Sequence, residues 1–115
     1  MTRAEERWSP LLPAEEPSKN RDYTVRAKVW RWKGGPWHFA NLPVRTSARI
    51  KTIFGATARG WGSIRVRLRV GKTEWDTSLF PDRKSKTYLF AIKAGVRKAE
   101  DIGVGDRITV QLHIL

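Results

Sequence analysis

The chain has 115 residues and carries 23 Lys+Arg against 11 Asp+Glu, a formal net charge of +12. A chain of this length holds one domain and buries roughly 60–65% of the surface its unfolded form exposes. The absence of cysteine excludes disulfides and thiolate metal sites, and no run approaches the ~20 apolar residues of a membrane-spanning helix.

The charge is unevenly placed. Residues 1–21 hold Arg3, Arg7, Lys19 and Arg21 against Glu5, Glu6, Glu15 and Glu16, which sum to zero. With Pro10, Pro13 and Pro17 and little apolar periodicity, this stretch reads as a flexible tail whose one apolar spot is Trp8, Leu11 and Leu12. It lacks the apolar core of a secretory leader, so a soluble cytoplasmic protein is expected. Residues 22–115 read as a single domain that holds the whole cationic excess, a field that attracts polyanions.

From Tyr23 the pattern has period two. Tyr23, Val25, Ala27 and Val29 share one face, and Thr24, Arg26, Lys28, Trp30 and Trp32 share the other. Gly34-Gly35-Pro36 predicts a turn, and WHFANLP (37–43) predicts a short strand stopped by Pro43. Thr46 or Ser47 is placed to cap a helix whose stripe is Ile50, Ile53 and Phe54, with Gly55 as its stop. Arg45, Arg49, Lys51 and Arg59 fall on or near that helix, off the stripe.

SIRVRLRV (63–70) turns Ile64, Val66, Leu68 and Val70 to a core and Arg65, Arg67 and Arg69 away from it. Gly71-Lys72 predicts a two-residue turn of type II′. That turn sets Val70 opposite Thr73, Arg69 opposite Glu74, Leu68 opposite Trp75 and Arg67 opposite Asp76. Two arginines then have acidic partners worth about 0.2–1 kcal/mol each, and Arg65, opposite Ser78, is left free. FPDRKSK (80–86) predicts a loop, because Pro81-Asp82 is turn chemistry. TYLFAIK (87–93) predicts a strand with Tyr88, Phe90 and Ile92 on one face. AGVRKAEDI predicts one or two helical turns with Val96, Ala99 and Ile102 apolar, and GVGD (103–106) a tight connection. The last strand, Arg107–Leu115, points Ile108, Val110, Leu112 and Ile114 inward. The sum is a mainly β fold: a small six-stranded, antiparallel-rich β-barrel with one clear α-helix and one short helical turn.

The order of these features, with W-D-T-S-L-F-P, then Y-L-F-A-I-K and V-R-K, and the closing G-V-G-D, resembles the DUF1905 family of small bacterial domains over about residues 23–115. The resemblance implies a compact β-barrel with helical elements. It implies no reaction, since none is established for the family. Many relatives carry a further C-terminal segment, and nothing of it carries over to a sequence ending at Leu115.

A search for chemistry finds no familiar kit. His38 and His113 stand far apart with no thiol to join them, so no zinc set is assigned. Past the tail the carboxylates are Asp22, Glu74, Asp76, Asp82, Glu100, Asp101 and Asp106; two oppose arginines and Asp106 closes its own turn. GWG (60–62) and GVG (103–105) are not phosphate-binding fingerprints. Ser63, Ser78 and Ser85 sit in no nucleophile elbow. No catalytic residue, metal or cofactor is assigned, and the expectation is a protein that is not an enzyme.

Binding is the reading left. Lys93, Arg97 and Lys98 follow the fifth strand, and Arg83, Lys84 and Lys86 precede it. If its ends meet around the barrel rim, a positive patch forms there, joined by Arg59 and Trp61. Cations beside an aromatic suit an anionic ligand, either nucleic acid or a phosphorylated metabolite. Two other readings stay open: a protein-interaction or accessory domain with incidental charge, and an enzyme whose pocket sequence does not reveal.

Overall fold

The computed structural model describes residues 21–115. The rest of the expected tail, with Trp8, Leu11 and Leu12, lies outside the described residues. Six strands form: β1 (Asp22–Arg31), β2 (His38–Asn41), β3 (Ile64–Val70), β4 (Thr73–Asp82), β5 (Thr87–Ala91) and β6 (Arg107–Ile114). Helix α1 (Val44–Phe54) follows β2 and runs into a 3-10 turn at Gly55–Thr57; another 3-10 turn spans Gly60–Gly62, and α2 (Ala94–Glu100) follows β5. All neighbouring strands pair antiparallel and close a barrel in the order β1-β2-β5-β4-β3-β6. Among the described residues no helix is long and apolar enough to cross a membrane.

Alternation along the strands fills the barrel. Val25, Ala27 and Val29 of β1, Val66 and Leu68 of β3, and Val110, Leu112 and Ile114 of β6 all point inward and are buried, with Leu79 and Phe90 completing the centre. Each of the larger of these side chains, Val, Leu, Ile and Phe, contributes about 1.5–3 kcal/mol by leaving water. Arg26, Lys28, Arg65, Arg67 and Arg69 alternate with them and stay outside. Closure also removes the sheet edges that would otherwise template association.

The β3–β4 hairpin has the register its turn predicts, with Val70 opposite Thr73, Arg67 opposite Asp76 and Arg65 opposite Ser78. Gly71 takes φ +60° and Lys72 does not leave the negative region, the pattern of a type II′ turn. A Cβ at Gly71 would strike the Glu100 carboxylate. That carboxylate accepts hydrogen bonds from Thr73 Oγ1 (2.6 Å) and Lys72 N (3.3 Å), tying α2 to the hairpin. The expected charge pairing needs correction. Arg67 binds Asp76 at 2.7 and 3.1 Å, but Arg69 Nε donates to the carbonyl of Gly71 (3.3 Å), which the turn brings within its reach. Arg65 is not free: it donates to Ser78 Oγ at 3.1 Å.

Helix α1 departs from expectation at its start. Neither Thr46 nor Ser47 caps it; it begins at Val44, directly after Pro43, with no side-chain cap. Its buried stripe is Ser47, Ile50 and Phe54, while Ile53 stays 37% exposed. Gly55 remains in the right-handed region, so the helix tightens into the 3-10 turn instead of stopping at a left-handed cap. In α2, Val96 is buried and is followed by buried Ile102, but Ala99 is exposed.

Ser47 has a different task. Its Oγ accepts the backbone N–H of Tyr88 at 3.0 Å in a buried contact, and the Tyr88 carbonyl accepts Leu42 N at 2.9 Å. Beyond Leu42 the chain leaves the sheet, so no β2 carbonyl reaches the Tyr88 N–H, and the serine hydroxyl stands in for it. Both polar groups of the Tyr88 backbone therefore face β2 and α1. This explains a second correction: β4 runs on through Pro81 to Asp82 where a loop was expected. Pro81 pairs with Tyr88, whose ladder groups point the other way, so the missing proline N–H costs nothing. Arg21, assigned to the tail on sequence, instead donates to the Ile114 carbonyl (3.2 Å) and lies 5.3 Å from the Phe54 ring centroid.

Ser47→Ala strands the Tyr88 N–H. It is expected to lower stability by about 1–3 kcal/mol, read as a fall in thermal midpoint of about 4–8 °C per kcal/mol. An unchanged midpoint by circular dichroism contradicts this account of the α1–β5 junction.

Candidate functional site

A cleft of about 630 Å3 opens between α1, the loop before β3 and the β4–β5 hairpin. The Ser47–Tyr88 bond holds its two walls together. One wall is α1 with the 3-10 turn that continues it, where Ser47, Lys51 and Gly55 recur every four residues and so share a face. The other is the hairpin, which supplies Asp82, Arg83 and Lys86. Tyr88 lines the space between them, and burial pushes its phenol above the usual range, so it stays neutral and able to donate.

Trp61 stands at the mouth and is 93% exposed. The loop carrying it is closed by reciprocal backbone bonds, Arg59 N to Ser63 O (2.9 Å) and Ser63 N to Arg59 O (3.1 Å). Trp61 takes φ +61°, and Gly62 beside it φ +78°. For a bulky L-residue the left-handed region costs roughly 1–2 kcal/mol. Among the described residues three non-glycines have positive φ: Trp61, Lys86 and Asp101. The first two line this cleft. Strain of this kind gathers at functional positions because the surrounding structure imposes it.

The acidic residue of the lining is already engaged. Asp82 Oδ1 accepts Lys84 N (3.2 Å) and Oδ2 accepts Ser85 Oγ–H (2.9 Å). Ser85 has one hydroxyl proton, so at its 2.6 Å contact with Thr87 it must accept. Thr87 Oγ1 accepts in turn from Asn41 Nδ2 (2.9 Å), and Asn41 Oδ1 accepts from the Trp30 indole N–H (2.6 Å). The result is one chain of donors running from Trp30 to the Asp82 carboxylate. Each bond polarises the next, and the negative charge at the end orients them all. The cleft's cations are Lys51, Arg83 and Lys86, and among the described residues none of them forms an ion pair.

A second, shallower groove of about 430 Å3 crosses the outside of β1, β6 and β3. It is a poorer candidate because its charges neutralise each other. Asp22 meets His113 at 2.8 Å, His113 stands opposite Arg67 in the sheet, and Arg67 is bound to Asp76. The Arg67 guanidinium holds the Asp76 carboxyl below its usual range. This exposed pair therefore supports the fold above the ordinary carboxylate range and loses that effect as pH falls through the depressed value.

The eight cationic and aromatic residues expected to form one site separate in space. Trp61, Arg83 and Lys86 line the cleft. Lys84 lies in the same hairpin turn and Arg59 closes the Trp61 loop, but neither lines it. Lys93 follows the other end of β5, and Arg97 and Lys98 lie beyond it on α2, where Arg97 Nε donates to the Ile92 carbonyl (3.3 Å). Lys51 was missed as a member of the site. Its signal was the four-residue spacing from Ser47, which the search for an apolar stripe passed over. Among the described residues no three His, Cys, Asp or Glu gather as a metal site would require.

A closed six-stranded antiparallel barrel with one capping helix and a basic, aromatic-mouthed cleft places the described residues among small mainly-β barrel domains. The chain belongs to the family described as a domain of unknown function, DUF1905, whose model matches residues 26–112. None of the curated proteins matches it.

Trp61→Asn keeps a residue tolerant of the left-handed region and removes almost no buried surface. The substitution is expected to raise stability by about 1 kcal/mol, seen as a higher thermal midpoint. A lower midpoint would show that the indole serves packing.

Proposed function

We propose that this protein is a binding module for a nucleotide-type ligand, a phosphate joined to a planar ring, held in the cleft beside Trp61. The observation that carries this is the strained, almost fully exposed indole beside three cations. A volume of about 630 Å3 lies within the range of about 300–1,000 Å3 typical of small-ligand sites. Lys51, Arg83 and Lys86 meet the phosphate oxygens, and Arg can do so bidentately. Trp61 offers a face for the ring, a contact worth about 1–3 kcal/mol. The Tyr88 hydroxyl is a neutral donor within the same cleft.

The reading is of binding without bond-making. Electrostatics and stacking account for the lining, and its one carboxylate is held by its own turn. Lys84, Arg59, Lys93, Arg97 and Lys98 add to the positive field that steers an anion inward. Beyond about 10 Å that help is screened at 0.1 M salt. The ring and phosphate belong equally to a free nucleotide and to the end of a nucleic-acid chain.

Calorimetric titration at low salt tests the proposal with AMP, inorganic phosphate, and one short oligonucleotide with and without a 5′-phosphate. AMP is expected to bind more tightly than phosphate and to weaken as salt rises. Trp61→Ala is expected to cost about 5- to 150-fold in affinity for AMP, and Lys86→Ala to weaken it further. A preference for the phosphorylated oligonucleotide over AMP assigns the chain end as the natural source. No binding of AMP at millimolar concentration, or equal affinity in both variants, overturns the reading.

A further inference from the structure

The outer face of the barrel carries a second set of rings and cations that the cleft does not use. Trp30 projects outward from β1 beside Phe39 of β2, with ring centroids 5.1 Å apart. Trp32 and Trp37, 51% and 60% exposed, sit where the chain turns between the two strands. Their backbones are joined by Trp32 N to Trp37 O at 2.9 Å. The turn is built for these rings: a Cβ on Gly34 would collide with the Trp32 indole, and Gly35 lies against both. The rings are therefore held by the glycines and left facing solvent.

Cations continue the same face. Arg26 and Lys28 precede Trp30 by four and two residues, so all three point outward from β1. Lys28 stands directly opposite Arg107 of β6. Like charges so placed destabilise a sheet. Among the described residues none of Arg26, Lys28 and Arg107 has an acidic ion-pair partner. Between Thr24 and Asn41 the sequence holds four cations and no carboxylate. Exposed rings and self-repelling cations each cost the folded protein, and one occupant relieves both.

We infer that this face is a platform for single-stranded nucleic acid. Phosphates lie along Arg26, Lys28 and Arg107, and unstacked bases rest on Trp30 and Trp37. The donor chain through Asn41 to Asp82 fixes the plane of Trp30, so the ring needs little ordering when a base arrives. A duplex, whose bases are stacked internally, offers the rings nothing. The inference stands apart from the cleft, since none of the rings and cations that would meet the strand lines it; the two touch only where the donor chain behind Trp30 reaches Thr87 and Asp82.

The test is fluorescence anisotropy with a labelled ten-nucleotide single strand lacking a terminal phosphate, and its duplex, across a salt series. The single strand is expected to bind more tightly than the duplex, and log affinity to fall with log salt by about 0.7 per phosphate contacted. Trp30→Ala and Trp37→Ala are each expected to weaken binding about 5- to 150-fold. Arg26→Ala, a surface change with no packing role, is expected to lower the salt slope by about 0.7. Trp61→Ala is expected to leave this affinity unchanged while weakening AMP binding about 5- to 150-fold, which separates the platform from the cleft. Equal affinity in the wild type and the Trp30→Ala/Trp37→Ala pair overturns the inference, whatever the cleft does. So does competition by a poly-glutamate peptide as strong as that by unlabelled oligonucleotide, which would assign the face to an acidic protein. A dimer in sedimentation that Trp37→Ala dissolves would assign it to a second copy of the chain.

Discussion

The backbone of Tyr88 faces away from its partner Pro81, and the rest of the site depends on that orientation. Its carbonyl takes Leu42 N, and its N–H takes the Ser47 hydroxyl where β2 has ended. Without the serine, a buried donor would be orphaned at a cost of about 1–3 kcal/mol. With it, α1 is pinned against β5 within a few residues of leaving the sheet. The space between helix and hairpin is then a defined cleft, walled by Lys51 on one side and Arg83 and Lys86 on the other. A proline that would interrupt an ordinary central strand is tolerated because the ladder at that point has been redirected.

The net charge of +12 says little until its neighbours are counted. Around the outside of β4, β3, β6 and β1, Asp76, Arg67, His113 and Asp22 form a row across four strands, with a carboxylate at each end. That row is surface chemistry and is screened by salt. Among the described residues Lys51, Arg83 and Lys86 of the cleft and Arg26 and Lys28 of β1 form no ion pair, and exposed tryptophans stand in the same two regions. The donor chain from Trp30 to Asp82 runs between these two regions, so the turn holding Arg83 and Lys86 also sets the plane of an indole on the outer face.

Much of the barrel was legible in the sequence, for a local reason. Period-two alternation in β1, β3 and β6 fixes which side chains enter the core, and Gly71 fixes the β3–β4 register to the residue. What sequence did not yield depends on contacts between distant segments. Ser47 looked like a helix cap because its partner, Tyr88, is 41 residues away. Pro81 looked like a loop for the same reason. Arg69 looked paired with Glu74 because opposition across a hairpin is visible, whereas the nearer Gly71 carbonyl depends on the shape of the turn. Of the candidate site, Trp61, Arg83 and Lys86 were named on sequence and the structure brings them to one cleft. Lys93, Arg97 and Lys98 were grouped with them on the expectation that the two ends of β5 meet, and a five-residue strand stands between. Lys51 was seen and not joined, because its place in the cleft follows from the helix packing that Ser47 dictates.

The most direct test of the central claim is a proton–nitrogen correlation spectrum recorded while AMP is added to the uniformly labelled protein. A nucleotide held by the walls that Ser47 and Tyr88 bring together will shift the Trp61 indole signal and the amides of Lys51, Gly62 and Arg83 through Thr87. Shifts centred on Lys93, Arg97 and Lys98 instead, with the Trp61 indole unmoved, would contradict it.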